Sequence, residues 1–222
     1  MINEDLKSSI DYIRNQTKRK SIGYIGHSLG SLIMFSLLSD HPKYSSYVKP
    51  FISMAPVFYL SSPNLPFQNI IPFRLIEKSS RLYPHEFPLI RKFLIYFSNC
   101  CENILMNRLC FLYLRFLNGQ NYDESYKNRI GIYMNNMLTG SSSWTVAHFL
   151  QIILNDGQPS HFDFNDDDLN RQHYNGQTIP PIYNISNIQS KNIAIICSPN
   201  DNFNSMMDIE KLKSNLKGMG DS

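Results

Sequence analysis

The sequence predicts an α/β protein in which a small parallel sheet with helices is interrupted by a large, mainly helical insertion. Three observations predict this class. A short strand, a glycine-containing turn and an apolar helix follow one another at residues 21–38. A second apolar strand at Val48–Met54 completes a β-α-β unit, which implies parallel pairing. A third strand, Asn192–Cys197, follows only after well over a hundred residues.

The composition excludes several other classes. The 222 residues are 42% hydrophobic and 13% aromatic, so the chain is neither disordered nor low in complexity. The formal net charge is only +3, and no basic stripe is interleaved with aromatic residues, which argues against nucleic acid as a partner. No apolar run reaches the ~18–20 residues of a membrane span. The first residues lack the basic-then-apolar pattern of a signal peptide.

The core elements follow from hydrophobic periodicity. Leu6, Ile10 and Ile13 form a helical stripe, and Met206, Ile209, Leu212 and Leu216 form another. The predicted elements are, in chain order, a helix at Asp5–Thr17, a strand at Ser21–Ile25, a helix at Ser31–Leu38, strands at Val48–Met54 and Asn192–Cys197, and a helix at Ser205–Leu216.

The insertion between the second and third strands is rich in proline and aromatic residues. Helices are predicted in it at Phe87–Phe97, Glu102–Leu117 and Trp144–Asn155. A connection of this length exceeds an ordinary loop, so it is predicted to be a cap subdomain with its own structure. The predicted core therefore comprises residues 1–56 and 185–222, and the predicted cap, or lid, comprises residues 57–184.

The pentapeptide Gly26-His27-Ser28-Leu29-Gly30 is the motif that carries chemistry. It fits G-x-S-x-G, and it stands between a predicted strand and a predicted helix, which is the setting of a nucleophile elbow. Gly26 and Gly30 leave room for a strained turn that presents the Ser28 hydroxyl above the sheet. Ser28 is therefore the predicted nucleophile, and the backbone N–H of Leu29 is the predicted oxyanion donor.

Asp201 is the predicted acid of a catalytic triad, because it stands in the turn after the third strand; the alternative is a turn-forming aspartate. In this elbow architecture the chain order is nucleophile, acid, histidine. All histidines of the chain precede Asp201: His27, His41, His85, His148, His161 and His173. None of these histidines lies in a recognisable catalytic motif. The side chain of His27 is expected to diverge from Ser28, and His85, His161 and His173 are predicted to lie in polar loops. His148, on a predicted cap helix, is the earlier histidine best placed to serve as a base.

The cysteines and the acidic run do not form a metal site. None of the four cysteines has C-x-x-C spacing, and Cys197 is predicted to be a buried free thiol. From the residues alone, Cys101 and Cys110 are either free or bridged across a small loop. The run Asp166–Asp168 lacks the glycine and distal glutamate of a calcium loop, so it is interpreted as a solvated loop. No metal and no cofactor is predicted.

With these residues in place, the chain resembles the acid lipase family, the gastric and lysosomal acid lipases, along nearly its whole length. Leu29 departs from the glutamine that is usual there, which matters little because the donor is a backbone N–H. The similar segments are Ile10–Ile13, Ile22–Gly30, Ala55–Val57, Asn136–Leu138, Ser142–Gln151, Phe162–Phe164, Pro180–Asn184 and Asn200-Asp201.

The resemblance implies a partial α/β-hydrolase fold and hydrolysis of neutral lipid esters, such as triacylglycerols or sterol esters, in lipid catabolism. It implies Ser28 as nucleophile, Asp201 as acid, and a cap disulfide between Cys101 and Cys110. It also implies a lid that opens in transient contact with a lipid–water interface, and a secreted or lysosomal full-length protein.

Two departures from the family pattern leave alternatives open. Family members begin with several strands and a His-Gly loop that supplies a second oxyanion donor, and they continue to a further strand and the catalytic histidine. Neither piece is found in these 222 residues. The chain is interpreted as a serine ester hydrolase that is incomplete as given. The alternative is a catalytically inactive lipid-binding remnant, and an acyltransferase on the same fold would change only the acceptor.

Overall fold

The computed structural model describes residues 2–61, 72–82, 96, 100–101, 106–112, 129, 132 and 141–216. The chain divides into two compact units. The first comprises Met1–Pro63 and Asn155–Ser222, and the second comprises Asn64–Leu154. The predicted cap, residues 57–184, is wider than this second unit, and its role as a lid stays a prediction.

The first unit contains a three-stranded parallel sheet and the helices around it. A π-helical turn at Ile2–Leu6 precedes the first helix, and 3-10 turns lie at Pro42–Ser46 and Ile185–Asn187. In chain order its elements are α1 (Lys7–Thr17), β1 (Ile22–His27), α2 (Leu29–Asp40), β2 (Val48–Met54), α5 (Asp167–His173), β3 (Ile193–Ile196) and α6 (Met206–Asn215). In the second unit, α3 spans Phe73–Leu82 and α4 spans Ser143–Leu154.

The strand order is β1-β2-β3, with β2 in the centre. Ile22 pairs with Val48 and His27 with Met54, while Met54 also pairs with Ile196 across the second ladder. Because all strands are parallel, the carboxyl ends of β1, β2 and β3 lie at one edge of the sheet. This confirms the predicted α/β class and places the residues after each strand along that edge.

Helix α2 is the central helix of the first unit. It is apolar almost all round, and a helix of that kind is stable only when it is buried. Phe35, at its centre, is fully buried between Phe51 of β2 and Phe58, with ring centroids 4.8 and 5.7 Å away. Such edge-to-face aromatic pairs contribute beyond the area that they bury. The helix therefore holds its first residue at a fixed place against the sheet.

Helix α6 is joined to the segment that follows β2 through a buried carboxylate. Asp208 accepts hydrogen bonds from the backbone N–H of Ser61 at 3.2 Å and from the hydroxyl of Ser205 at 2.9 Å. The Ser205 hydroxyl in turn accepts a bond from the Asp208 N–H, which caps the helix at its N-terminus. The hydrogen bond from Ser61 to Asp208 thereby ties two segments that are 147 residues apart in the sequence.

In the second unit, α3 packs against α4. Glu77 of α3 is buried, and its carboxylate accepts a hydrogen bond from the Gln151 amide of α4 at 2.9 Å. Arg81, one turn further along α3, pairs with the same carboxylate at 3.4 Å. Residues 106–112 are helical, and Cys101 is bonded to Cys110 at an S–S distance of 2.04 Å.

Most predicted elements lie where the sequence placed them, with three differences. The run Asp166–Asp168 was predicted to be a solvated loop and His173 to lie in a polar loop, but these residues cap and form α5, because Asp166 accepts the N–H groups of Asp168 and Leu169. Helix α3 was not predicted, and the prediction at Phe87–Phe97 lies almost wholly outside the described residues. Finally, β1 continues to His27, two residues beyond the predicted strand.

Candidate active site

Ser28 is the single residue between the end of β1 and the start of α2. Its backbone has φ +52° and ψ −112°, a left-handed conformation that L-residues rarely adopt. Its N–H donates to the Met54 carbonyl at 2.9 Å, and its own carbonyl accepts the N–H groups of Ser31 and Leu32. The chain thus passes from strand to helix in one residue, and backbone strain at such a point is typical of functional sites.

The two glycines of the motif have different reasons to be glycine. A Cβ on Gly26 would lie 2.8 Å from the carbonyl carbon of Gly30 and 2.8 Å from a ring carbon of Tyr24. Real Cβ atoms do not approach other atoms so closely, so β1 and α2 can meet there only without a side chain. A Cβ on Gly30 would meet the Tyr24 hydroxyl at an ordinary 3.6 Å.

Two side chains that the sequence analysis did not single out support the elbow. The Tyr24 hydroxyl donates to the carbonyl oxygen of Gly30 at 3.0 Å. The fully buried Ser31 donates its hydroxyl to the carbonyl oxygen of Gly26 at 2.7 Å. Both bonds join β1 to the first turn of α2. Nothing in the sequence pattern distinguishes these two residues from ordinary core positions.

Leu29 is the first residue of α2, where a helix leaves its N–H groups without an intrahelical partner. Among the described residues, no acceptor is found for the Leu29 N–H. The partial positive charge of the helix N-terminus adds to the polarity of this amide. A developing negative charge beside Ser28 would be stabilised there, and the oxyanion role of Leu29 stays a prediction.

Asp201 is half-buried in the turn after β3. Its Oδ1 accepts the backbone N–H groups of Phe203 at 2.8 Å and Asn204 at 3.3 Å. Within the part of the chain that the structure describes, Oδ2 accepts no hydrogen bond. One carboxylate oxygen therefore holds the local turn, and the other is available to orient a further group.

Asn204 was also missed by the sequence analysis. It is buried, and its amide nitrogen donates to the carbonyl oxygen of Pro56, beyond the end of β2. Its backbone N–H also donates to Asp201. Asn204 therefore connects the turn that contains Asp201 to the segment after β2. A lone asparagine in an Asn- and Ser-containing turn gave no signal of this contact.

Ser28 and Asp201 follow strands that flank β2. The link across the edge runs from the Ser28 N–H to the Met54 carbonyl, and from the Ala55 N–H to the Ile196 carbonyl at 2.7 Å. Two strand spacings separate β1 from β3, about 10 Å in all. Both predicted catalytic residues thus follow the carboxyl ends of strands at the same edge of the sheet.

Two of the described histidines lie at the far end of α2. His161 Nε2 is 3.2 Å from the carboxylate of Asp40, the last residue of that helix. His41 follows Asp40 directly, and burial is the main cause that lowers its pKa, followed by the nearby charge of Lys7. The helix is 12 residues long, so this end lies about 17 Å from Ser28. His27, beside the serine in sequence, is exposed.

The remaining histidines are placed elsewhere. His173 ends α5 and stacks on Phe164, with ring centroids 4.5 Å apart. His148 is half-buried on α4 of the second unit. His85 lies outside the described residues. His161 is packed against Tyr183 at a ring distance of 4.3 Å, so it is part of a folded cluster rather than of the polar loop that was predicted.

The acidic residues near Asp166 have a structural explanation. Asp166 caps α5, and Asp168 pairs with Arg171 at 2.8 Å on the surface of that helix. Across the described ranges, no three His, Cys, Asp or Glu side chains are grouped so that they would hold a metal ion. No helix in those ranges is long and apolar enough to cross a bilayer.

Comparison with known proteins agrees with this geometry. The family model for the alpha/beta hydrolase fold matches residues 1–79. Gastric triacylglycerol lipase of Bos taurus is 29% identical over 224 residues, covering 99% of this chain and 55% of that protein. Lysosomal acid lipase/cholesteryl ester hydrolase of Rattus norvegicus is 28% identical over 193 residues, covering 85% and 47%. Lipase member K of Homo sapiens is 27% identical over 194 residues, also covering 85% and 47%.

The chain spans about half the length of the curated relatives that it matches. The expected resemblance to acid lipases is confirmed by these relatives. The expected α/β-hydrolase fold is confirmed by the family model together with the parallel sheet.

Proposed function

We propose that this chain, similar to acid lipases and built on the α/β-hydrolase fold, carries the nucleophile and the acid of a serine ester hydrolase. The observation that carries the proposal is the left-handed backbone of Ser28 between β1 and α2. Asp201 stands after β3 at the same sheet edge and supports it. Two of the relatives are a triacylglycerol lipase and a cholesteryl ester hydrolase by name, so the proposed substrates are neutral lipid esters.

In the proposed reaction, the Ser28 hydroxyl oxygen attacks the ester carbonyl carbon. A histidine base takes the hydroxyl proton, and the alcohol leaves with that proton. The free Oδ2 of Asp201 would orient the base, and the Leu29 N–H would stabilise the oxyanion. Water then attacks the acyl group on Ser28 and releases the fatty acid. The base would be a histidine that follows the acid in chain order, and residues 202–222 contain none.

The second candidate is a catalytically silent lipid-binding protein. The observation in its favour is the placement of two described histidines of the first unit: His161 is engaged with Asp40, and His41 lies beside it at the far end of α2. A serine hydroxyl without an adjacent base is a poor nucleophile.

The first candidate, the serine ester hydrolase, includes three further proposals. They are a lid formed by the predicted cap, transient contact with a lipid–water interface, and a secreted or lysosomal location.

The experiment compares Ser28→Ala with the unchanged sequence in the longest protein that transcripts support. Hydrolysis of a soluble short-chain ester and of emulsified triacylglycerol is measured. Removing the nucleophile should reduce kcat by about 10³–10⁶-fold. Ser46→Ala is the matched control, because Ser46 is an exposed serine whose hydroxyl donates to the Lys43 carbonyl and has no other partner among the described residues. Near-normal turnover by Ser28→Ala would overturn the proposal.

The same assay on residues 1–222 alone separates the two candidates. We expect no turnover that depends on Ser28, because the base is not among the residues after Asp201. If transcripts end at Ser222 and the chain is silent, the lipid-binding candidate is favoured. Serine-dependent turnover by the 222-residue chain would instead show that an earlier histidine serves as the base, and His148 would be the first to replace.

A further inference from the structure

Helix α2 ends on an acidic residue. Asp40 is its last residue, and its last turn contains no basic side chain. The C-terminus of a helix carries a partial negative charge, so that a carboxylate is unfavourable there and a cation is favourable. The Asp40 side chain is only 20% exposed, so water and salt screen its charge incompletely. A compensating positive charge has to come from outside the helix.

His161 is the residue that meets this carboxylate. Its Nε2 lies 3.2 Å from Oδ2 of Asp40. The backbone N–H of His161 donates to the carbonyl oxygen of Pro181 at 2.9 Å. The imidazole ring packs on Tyr183, with centroids 4.3 Å apart, and against the edge of Tyr174 at 5.6 Å. The folded surroundings therefore hold the imidazole beside the end of α2.

The contact has two strengths, which depend on pH. A neutral imidazole can donate one hydrogen bond to the carboxylate. A doubly protonated imidazole forms an ion pair as well, and it places a cation at the C-terminus of α2. Free histidine titrates near pH 6.5 and free aspartate near pH 3.9. The pair therefore strengthens as the pH falls from about 8 to about 5, and it is lost below about pH 4, where aspartate is protonated.

The other charged and titratable groups around the pair do not reverse this dependence. Among the described residues they are Lys7, His41, Lys43, Asp163, Tyr174 and Tyr183. Burial, followed by the charge of Lys7, lowers the pKa of His41, so this neighbour gains its proton at a lower pH than a free histidine. Burial raises the pKa of both tyrosines, so they stay neutral throughout the range.

We propose that Asp40 and His161 form an acid-strengthened tether, which fastens the segment around His161 to the end of α2. The tether is a pH-sensitive element of the fold. It lies at the opposite end of α2 from Ser28, and it does not depend on the proposed ester hydrolysis. Its contribution to stability is greatest near pH 5, between the titration ranges of the two side chains.

The test is a double-mutant cycle on the full 222-residue chain. Urea unfolding is measured at about pH 5 and about pH 8 for the unchanged chain, His161→Gln, Asp40→Asn and the double variant. The coupling is the factor by which the double variant departs from the product of the two single effects on the unfolding constant. It should be about 5-fold larger at the lower pH, the difference between a charged and a weaker hydrogen bond. Because His41 is present in all four proteins, its own titration cancels.

His173→Gln is the matched control, because His173 is an exposed histidine that stacks on Phe164. Its cycle with Asp40→Asn should give no coupling at either pH. Equal coupling of Asp40 with His161 at both pH values, or a larger coupling at the higher pH, overturns the proposal.

A second measurement needs no variant and therefore does not depend on the folding of one. Hydrogen exchange gives the protection factor of the His161 N–H, corrected for the intrinsic rate at each pH. The Ala55 N–H, which donates to the Ile196 carbonyl within the sheet, is the internal reference. Protection of His161 relative to Ala55 should be higher at about pH 5 than at about pH 8. An unchanged or lower ratio overturns the proposal. Neither measurement involves ester hydrolysis, so this failure is distinct from failure of the proposed function.

Discussion

The backbone of Gly26 lies directly against that of Gly30, so that a Cβ on Gly26 would stand 2.8 Å from the Gly30 carbonyl carbon. The contact joins the end of strand β1 to the first turn of helix α2, on either side of Ser28. It explains why the motif needs its first glycine for packing, while the unusual backbone conformation is taken by the serine itself.

Gly26→Ala should destabilise the fold by about 1–3 kcal/mol, because a methyl group forced between two backbones causes overpacking. Gly23→Ala is the matched control in the same strand, where a Cβ would meet only Pro50 Cδ at an ordinary 3.7 Å. Its effect should stay within about 0.5 kcal/mol. Urea unfolding followed by circular dichroism measures both. Equal midpoints for the two variants would contradict the close contact at Gly26.

Ser28→Gly should be more stable than Ser28→Ala by about 1 kcal/mol. A left-handed residue with a Cβ carries ~1–3 kcal/mol of strain, and relief of that strain outweighs the ~0.5–1 kcal/mol of chain entropy that a glycine loses on folding. Ser46→Gly, in a turn without positive φ, should be destabilised instead. Thermal unfolding gives the order of stability, and the reverse order at Ser28 would argue against strain there.

Asp208→Ala should lower the free energy of unfolding by about 1–3 kcal/mol, since it removes a buried carboxylate that accepts hydrogen bonds from the Ser61 N–H and the Ser205 hydroxyl. Glu210→Gln, on the same helix, breaks only the exposed pair with Lys213 at 3.2 Å and should have an effect below about 0.5 kcal/mol. Denaturant titration compares them. A similar effect of the two substitutions would contradict the role of Asp208 as the link to α6.

Tyr174→Phe should flatten the decline of stability at alkaline pH. Burial, aided by the charge of Asp163, raises the pKa of Tyr174 to about 12, and its hydroxyl donates to the Phe162 carbonyl. The ordinary tyrosine pKa is about 10. Because the folded state holds this proton more tightly, the stabilisation is complete below about pH 10 and is lost as the pH rises toward 12.

The measurement for Tyr174 is the urea midpoint from about pH 9 to about pH 12. Tyr12→Phe, which changes an exposed ring, should keep the slope of the unchanged protein. Burial also raises the pKa of Tyr44 and Tyr183, so both variants should retain part of the decline. Identical slopes for Tyr174→Phe and Tyr12→Phe would show that the Tyr174 proton is not linked to folding.

Replacing Cys101 and Cys110 together by alanine should destabilise the second unit by about 2–3 kcal/mol, the loop-closure entropy for a disulfide spanning nine residues. Cys100→Ala is the control, because that neighbouring thiol is free. Peptide mapping of secreted protein without reductant should find Cys101 linked to Cys110. Alkylation of both thiols under those conditions would refute the bridge.

The local part of the candidate site could be predicted from the sequence. The strand, the turn at Ser28 and the helix lie within about twenty residues, and their boundaries follow from apolar runs, glycines and the proline after His41. The parallel order of the strands also follows, because β-α-β connections permit few topologies. Even so, the helix cap at Asp166 could not be predicted, since a cap and a solvated loop have the same composition of adjacent aspartates.

The contacts between distant segments were decided only by the tertiary structure. Asp208 meets Ser61 across 147 residues, and His161 meets Asp40 at the far end of α2. Such contacts depend on the path of the whole chain, because a hydrogen bond needs its two atoms within about 3.5 Å whatever their separation in sequence. Periodicity and motif spacing report only on neighbours within a few turns. The sequence alone therefore determined the element that presents Ser28, and packing determined which side chains hold that element in place.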